Sequence, residues 1–261
     1  MMNTGYLYSK DNIRIFVNTC LGCTGKCSYC YLGKMGYDNN KIVSEVKEAE
    51  ELIDEIERKV LISKETLITL GCFSECWDDN NKPQTIKLIK YFLKRGNQIQ
   101  LSTKKKIIPE EMSEISEFVQ YLGQLVIFVS SATISKWSEF EKGTDEPDKR
   151  FETFNISAQL PIPTVLYMKP ILKGITIQDI DLYKQVIQKY GIKDVVVGSI
   201  FGEKETGEPV HFSNERKLFY NPIEEEFEIK RKLLESGKTR VFSRSTETMK
   251  YYKDRLQEKI K

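Results

Sequence analysis

Three cysteines crowd into the stretch Cys23-Thr24-Gly25-Lys26-Cys27-Ser28-Tyr29-Cys30, spaced C-x3-C-x2-C, and an aromatic residue stands immediately before the last. Spacings this short confine the three sulfurs to one loop, and thiolates are the ligands that iron–sulfur clusters require. A cubane has four irons and the loop offers three sulfurs, so one iron is left open to a substrate or cofactor. The alternative is zinc, which wants four N/S ligands, usually as two short knuckles. Cys72 and Cys76 would be the second knuckle and Cys20 a spare thiol, although a 3-then-2 spacing fits a knuckle pair poorly. A disulfide framework is the weakest reading, because a 261-residue chain does not need one.

Composition narrows the setting. With 40% apolar residues, the chain can bury one large core, with or without a small appendage. No apolar run approaches the ~18–20 residues of a membrane span. Met1-Met2-Asn3 has no signal-peptide pattern, and six cysteines without one point to a reducing cytoplasm and to metal or redox use. A net charge of +2 neither reveals nor excludes a nucleic-acid partner. The one histidine, His211, rules out a multi-histidine metal centre and reads as a surface-loop residue.

Along the chain, short strands alternate with amphipathic helices. Strands are expected over 12–18, 66–70, 98–103, 125–129, 164–168 and 194–199. Between them come helices over 44–61 (Ser44 as N-cap), 84–94, 109–121, 148–159 and 177–190. Residues 33–40 form a connector, and Trp137 and Phe140 sit in a polar loop. Six such units imply parallel β/α construction, either a curved open barrel or a doubly wound sheet. In both, sites lie just after the strands, where the cysteine loop and the other unusual runs fall. After residue 202 the pattern changes to a turn or hairpin over 202–212, a charged helix over 224–235, a short strand over 239–242 and a last helix over 246–260. The expected organisation is an α/β domain over 1–202, with the cysteine loop at 20–31, and a small α+β extension over 203–261 that covers it.

The loop resembles the C-x3-C-x-aromatic-C signature of the radical S-adenosylmethionine (SAM) enzymes. The flanking residues are similar to those of the spore photoproduct lyase-like, or DNA-repair-photolyase-like, family. Asn18-Thr19-Cys20-Leu21-Gly22-Cys23 resembles its N-P-Y-x-G-C lead-in, with Cys20 at the tyrosine position. Cys27-Ser28-Tyr29-Cys30-Tyr31-Leu32 resembles C-x-Y-C-Y-L, and Gly71-Cys72-Phe73-Ser74-Glu75 resembles S-C-T-S-D. Ser102-Thr103-Lys104, Glu146-Pro147 with Arg150, and Pro170 to Gly174 look like T-K, E-P…R and P-I-x-P-G. Lys173 replaces the second proline of the last motif, and Ser74 to Asp79 departs from T-D-P-Y-Q-P.

The resemblance implies a partial (β/α)6 barrel and a [4Fe–4S] cluster on Cys23, Cys27 and Cys30, with SAM on its open iron. It also implies an electron donor such as flavodoxin or ferredoxin, and a nucleic-acid or nucleotide substrate. Tyr29, Ser74, Lys104 and Ser130 would hold SAM, since hydroxyls and an ammonium suit its amino-acid end. Gly198 and Ile200 would pass near adenine. Cys72 would donate a hydrogen atom, with Tyr31 in the radical relay; packing, or a role with Cys76 as redox pair or ligands, is the alternative for Cys72. Lys105 and Lys106 read as a solvated basic run or a phosphate-facing one. Trp77, Trp137 and Phe140 are candidates for stacking on a base, with core packing as the plainer reading. The other function classes are a modifying enzyme for a peptide or small metabolite, and a non-catalytic iron–sulfur or zinc-binding adaptor.

Overall fold

The computed structural model describes residues 8–10, 13–20, 22–35, 47–60, 62–206, 211–213, 216–235 and 237–260. The chain begins with β1 (Tyr8–Lys10) and β2 (Arg14–Val17), an antiparallel pair, then β3 (Lys26–Cys27) inside the cysteine loop. Helix α1 (Ala49–Lys59), β4 (Leu67–Leu70), α2 (Lys82–Arg95), β5 (Ile99–Thr103), α3 (Pro109–Ser116) and β6 (Leu125–Ser130) follow. Next come α4 (Trp137–Phe140), β7 (Glu141–Lys142), α5 (Pro147–Phe151), α6 (Ile156–Gln159), β8 (Thr164–Ile171), α7 (Ile180–Tyr190) and β9 (Asp194–Ser199). The chain then forms β10 (Phe201–Gly202), β11 (His211–Ser213), β12 (Arg216–Tyr220), α8 (Glu224–Leu234), β13 (Arg240–Phe242) and α9 (Ser245–Ile260).

The main sheet has the order β1-β2-β4-β5-β6-β8-β9-β13, and every neighbouring pair from β2 to β13 is parallel. This is the expected partial barrel, left open between its edge strands. It has seven parallel strands rather than six, because Arg240–Phe242 pairs with Asp194–Val196 of β9. Within the expected 203–261 extension, β13 thus adds a strand to the barrel's own sheet. Strands β10 and β11, at the two ends of the expected 202–212 turn or hairpin, do not pair with each other; each lies antiparallel to β12. His211 falls on β11 rather than on a loop, and its side chain lies outside the described residues.

Alternation along the strands gives the sheet two different faces. Outward residues such as Ile15, Ile68, Leu70, Ile99, Leu101 and Ile127 pack against Leu52 and Ile56 of α1 and Leu88, Ile89 and Phe92 of α2. Fully burying each such side chain is worth roughly 1.5–3 kcal/mol. On the inner face Leu67, Val126, Phe128, Val165 and Val196 pack against Met249 and Tyr252 of α9, which plugs one end of the barrel. Further along the same face the inward residues turn polar: Gln100, Ser102, Ser130 and Lys169 line a cavity.

Several boundaries differ from expectation. Helix α1 begins at Ala49, with acidic Glu50 and Glu51 in its first turn and Arg58 and Lys59 in its last, as the helix dipole favours. Ser44 and most of the 33–40 connector lie outside the described residues. Helix α3 stops at Ser116, and the 148–159 helix breaks into α5, a 3-10 turn over Glu152–Asn155, and α6. Within that turn Thr153 Oγ1 accepts the Ile107 N–H at 2.9 Å, tying the segment to the loop after β5. Strand β8 runs past Met168 to Ile171 with a register shift where Pro170 cannot donate to the ladder. No helix among the described residues is long and apolar enough to cross a membrane.

Candidate active site

The thiol loop leaves β2 and is pinned by its neighbours. Asn18 Oδ1 accepts the Phe73 N–H at 3.1 Å, Thr19 Oγ1 donates to Asn81 Oδ1 at 3.3 Å, and Thr24 Oγ1 to Asp78 Oδ2 at 3.4 Å. From the other side β3 pairs with β7, setting Cys27 opposite Glu141. Gly143 must be glycine there, because it has φ +77° and an added Cβ would meet Thr24 O at 2.4 Å. Gly71 (φ +81°) makes the turn after β4, where a Cβ would lie 2.1 Å from Ser102 O. That turn sets Cys72 at the cavity and Cys76 in the core.

Cys23, Cys27 and Cys30 all line one cavity of about 1180 Å³. Ordinary ligand pockets hold ~300–1,000 Å³, so there is room for a cofactor and a second molecule. The other six expected residues, Tyr29, Tyr31, Cys72, Ser74, Lys104 and Ser130, line the same cavity. Cys20 and Cys76 do not; their thiols point to the carbonyls of Gly22 and Ser102. Among the described residues no group of three His, Cys, Asp or Glu side chains is gathered closely enough to hold a single metal ion.

The lining fits a larger thiolate-bound group. Gly25 leaves open a cradle in which a Cβ would lie 3.3 Å from Cys23 Sγ and 4.0 Å from Cys27 Sγ. Ser74 Oγ is buried and makes no hydrogen bond of ordinary geometry, with the Cys20 thiol beside it. Burial pushes the thiols up, Cys23 to about 12 and Cys27 to about 11, so they are protonated at neutral pH in the absence of a metal partner. Binding a cluster would release those protons.

Behind the loop stands a buried carboxylate that sequence reasoning missed. Glu141 accepts from the Tyr29 hydroxyl, from Arg150 at 2.8 Å and from the Ala132 N–H at 3.0 Å, and lies 3.1 Å from Lys104 Nζ. Burial alone would raise its pKa, but Lys104 and Arg150 overcome that and hold it at about 2. Lys104 also donates to Ser130 Oγ at 2.5 Å, and Arg150 to Ser130 O at 2.6 Å. Three of the expected SAM-binding residues, Tyr29, Lys104 and Ser130, thus share one network. Glu75, at the aspartate position of the S-C-T-S-D resemblance, takes Thr103 Oγ1 at 2.5 Å, and burial raises its pKa.

Tyr31 donates to Cys72 O at 2.8 Å and packs edge-on against Phe201. Ile200 lines the cavity, whereas Gly198 is covered by the Lys169 side chain. The three base-stacking candidates do not line it: Trp77 is buried in the outer core, donating to Glu111, and Trp137 and Phe140 form α4. Lys105 lines the cavity and lies 3.5 Å from Asp145, while Lys106 pairs with Glu152 away from it. Arg14, Tyr167, Lys169, Tyr220 and Arg244 also line the cavity and were not singled out. No spacing groups them, since the sheet brings them together from distant strands.

No protein-family model and no curated protein matches the chain. Solved structures do. A spore photoproduct lyase with bound AdoMet and dinucleoside spore photoproduct aligns over 92% of this chain and 79% of its own at 14% identity, TM-score 0.64. A spore photoproduct lyase complexed with dinucleoside spore photoproduct aligns over 90% of this chain and 77% of its own at 15% identity, TM-score 0.64. SuiB from Streptococcus suis bound to S-adenosylmethionine aligns over 88% of this chain but 49% of its own, at 12% identity and TM-score 0.57. The chain therefore shares its fold with spore photoproduct lyase and with SuiB.

Proposed function

We propose that this chain is a radical SAM enzyme of the lyase-like kind, acting on a nucleic acid or nucleotide in the cytoplasm. The observation that carries this reading is convergence: nine residues expected from four separate strand ends line one cavity. With a [4Fe–4S] cluster on Cys23, Cys27 and Cys30, SAM on the open iron would be cleaved reductively to a 5′-deoxyadenosyl radical able to take hydrogen from carbon.

The chain's own residues orient and quench. Lys104 and Ser130, held by Glu141 and Arg150, offer an ammonium and a hydroxyl to the carboxylate and amine of SAM. Ser74, whose hydroxyl lies beside the Cys20 thiol, is a further partner. Tyr29, bonded to Glu141, fixes the loop wall. Cys72 is the hydrogen donor: its S–H bond is weaker than most C–H bonds, so transfer to a substrate carbon radical is downhill and leaves a sulfur radical. Tyr31, whose hydroxyl donates to the carbonyl of Cys72, would belong to the radical relay that restores the thiol and regenerates SAM. An electron donor such as flavodoxin or ferredoxin would supply the reducing equivalent.

Anaerobic reconstitution with iron and sulfide, followed by reduction with SAM, tests this. The native chain is expected to release 5′-deoxyadenosine and Cys30→Ala to release none. UV-damaged DNA is expected to stimulate turnover without net SAM consumption, and Cys72→Ala to give misquenched products. Release indifferent to DNA would favour a peptide or small-metabolite substrate. No release from the native chain would leave the adaptor reading.

A further inference from the structure

The part of the cavity away from the Lys104–Glu141 network carries its own charge. Arg14 comes from β2, Lys169 from β8, and Arg244 from the residue before α9. The Lys169 stem runs over Gly198, where an added Cβ would lie 3.0 Å from its Cδ and 3.3 Å from its Nζ. Its ammonium lies over two aromatic faces, 4.7 Å from the ring centre of Phe201 and 5.2 Å from that of Tyr220. Glu75 is the one carboxylate among the described lining residues, and its oxygens are taken by Thr103, Lys104 N–H and Trp77 N–H. Glu226, the acid whose charge acts on Lys169, lies behind the wall, bonded to Ser199, Tyr220 and Lys230.

Burial and the neighbouring Arg14, Arg244 and Lys230 charges make the Lys169 ammonium costly, pulling its pKa down to about 8 despite Glu226. Ser245 and Thr246, the first turn of the 16-residue α9, line the cavity beside Arg244 and add the positive end of a helix dipole. Three cations and a helix start, gathered from three distant segments around one space, describe a place for an anion.

We propose that Lys169, Arg14 and Arg244 form a phosphate subsite that anchors the substrate while its reacting carbon faces the thiol loop. The proposal rests on the reading of this cavity as an active site. A tetrahedral anion suits it, because the guanidinium groups offer paired donors and the lysine a point charge. Either a bridging phosphodiester or a terminal phosphate has this chemistry.

Calorimetric titration of the full chain with thymidine, thymidine 5′-monophosphate and the dinucleotide TpT tests the subsite without a cluster. Both or either of the phosphorylated probes should bind about tenfold or more tighter than thymidine, the scale of one charge-assisted hydrogen bond. The tighter of the two identifies the phosphate source. Lys169→Met, which keeps the stem, should lose that preference, and Lys169→Arg should keep most of it. Equal binding of all three probes, or an unchanged preference in a Lys169→Met chain that melts as a folded protein, would overturn the subsite. Phosphate preference in a chain that never cleaves SAM would instead leave the subsite standing and sink the radical SAM reading.

Discussion

Beside the thiol loop, the buried charges are matched: Glu141 lies between Lys104 and Arg150 and takes the Tyr29 hydroxyl as well. Across the cavity, Lys169 rests on two aromatic rings, with Glu226 held behind by Ser199 and Tyr220. The first wall is paired by its own side chains. Its donors are already aimed, which is how preorganised sites avoid reorganisation during reaction. The second wall holds the Lys169 ammonium buried on two rings, with Glu226 acting on it only from behind. The difference is between charges balanced by their neighbours and a charge held buried at a cost.

The largest expected effect comes from unbalancing the first wall. Arg150→Met keeps the bulk but strips Glu141 of a buried partner, which should cost roughly 3–5 kcal/mol in urea unfolding. A native-like midpoint and slope would mean that the network is not under the electrostatic load assigned to it, and the contrast between the walls would fail.

A smaller effect sharpens the comparison from the other side. A lysine whose pKa falls from 10.5 unfolded to about 8 folded costs stability while it is charged. That cost is present in full below pH 8 and disappears as pH rises from 8 to 10.5, where the unfolded chain binds the extra proton. The stability of the native chain relative to Lys169→Met should therefore rise over that window. The variant should be the more stable of the two at pH 7. A flat difference across the window would place Lys169 in an ordinary aqueous environment.

The parallel strands were legible because each carries its own apolar signal and ends in a run too polar or too cysteine-rich for a core. The thiol loop was legible because its ligands are adjacent in sequence. What was missed depends on assembly. Glu141 sits in a polar stretch with no periodicity, and it matters only because β7 pairs with the cysteine loop. Arg14 and Arg244 approach opposite ends of the chain and meet only through the curvature of the sheet. β13, Arg240–Phe242, is too short to announce a seventh parallel strand, since its partner is chosen by the packing of α8 and α9. Trp77 takes the plainer of its two readings, core packing, with its N–H donated to Glu111; an indole that packs a core and one that stacks on a ligand look alike in sequence.

The central claim is that the paired wall holds an iron–sulfur cluster with one iron open to SAM. Metal and sulfide analysis of the anaerobically reconstituted chain, joined to electron paramagnetic resonance of the reduced protein with and without SAM, tests it most directly. The account predicts about four irons per chain, lost in Cys27→Ala, and a cluster spectrum that shifts when SAM is added. Zinc in place of iron, or a spectrum indifferent to SAM, would contradict it.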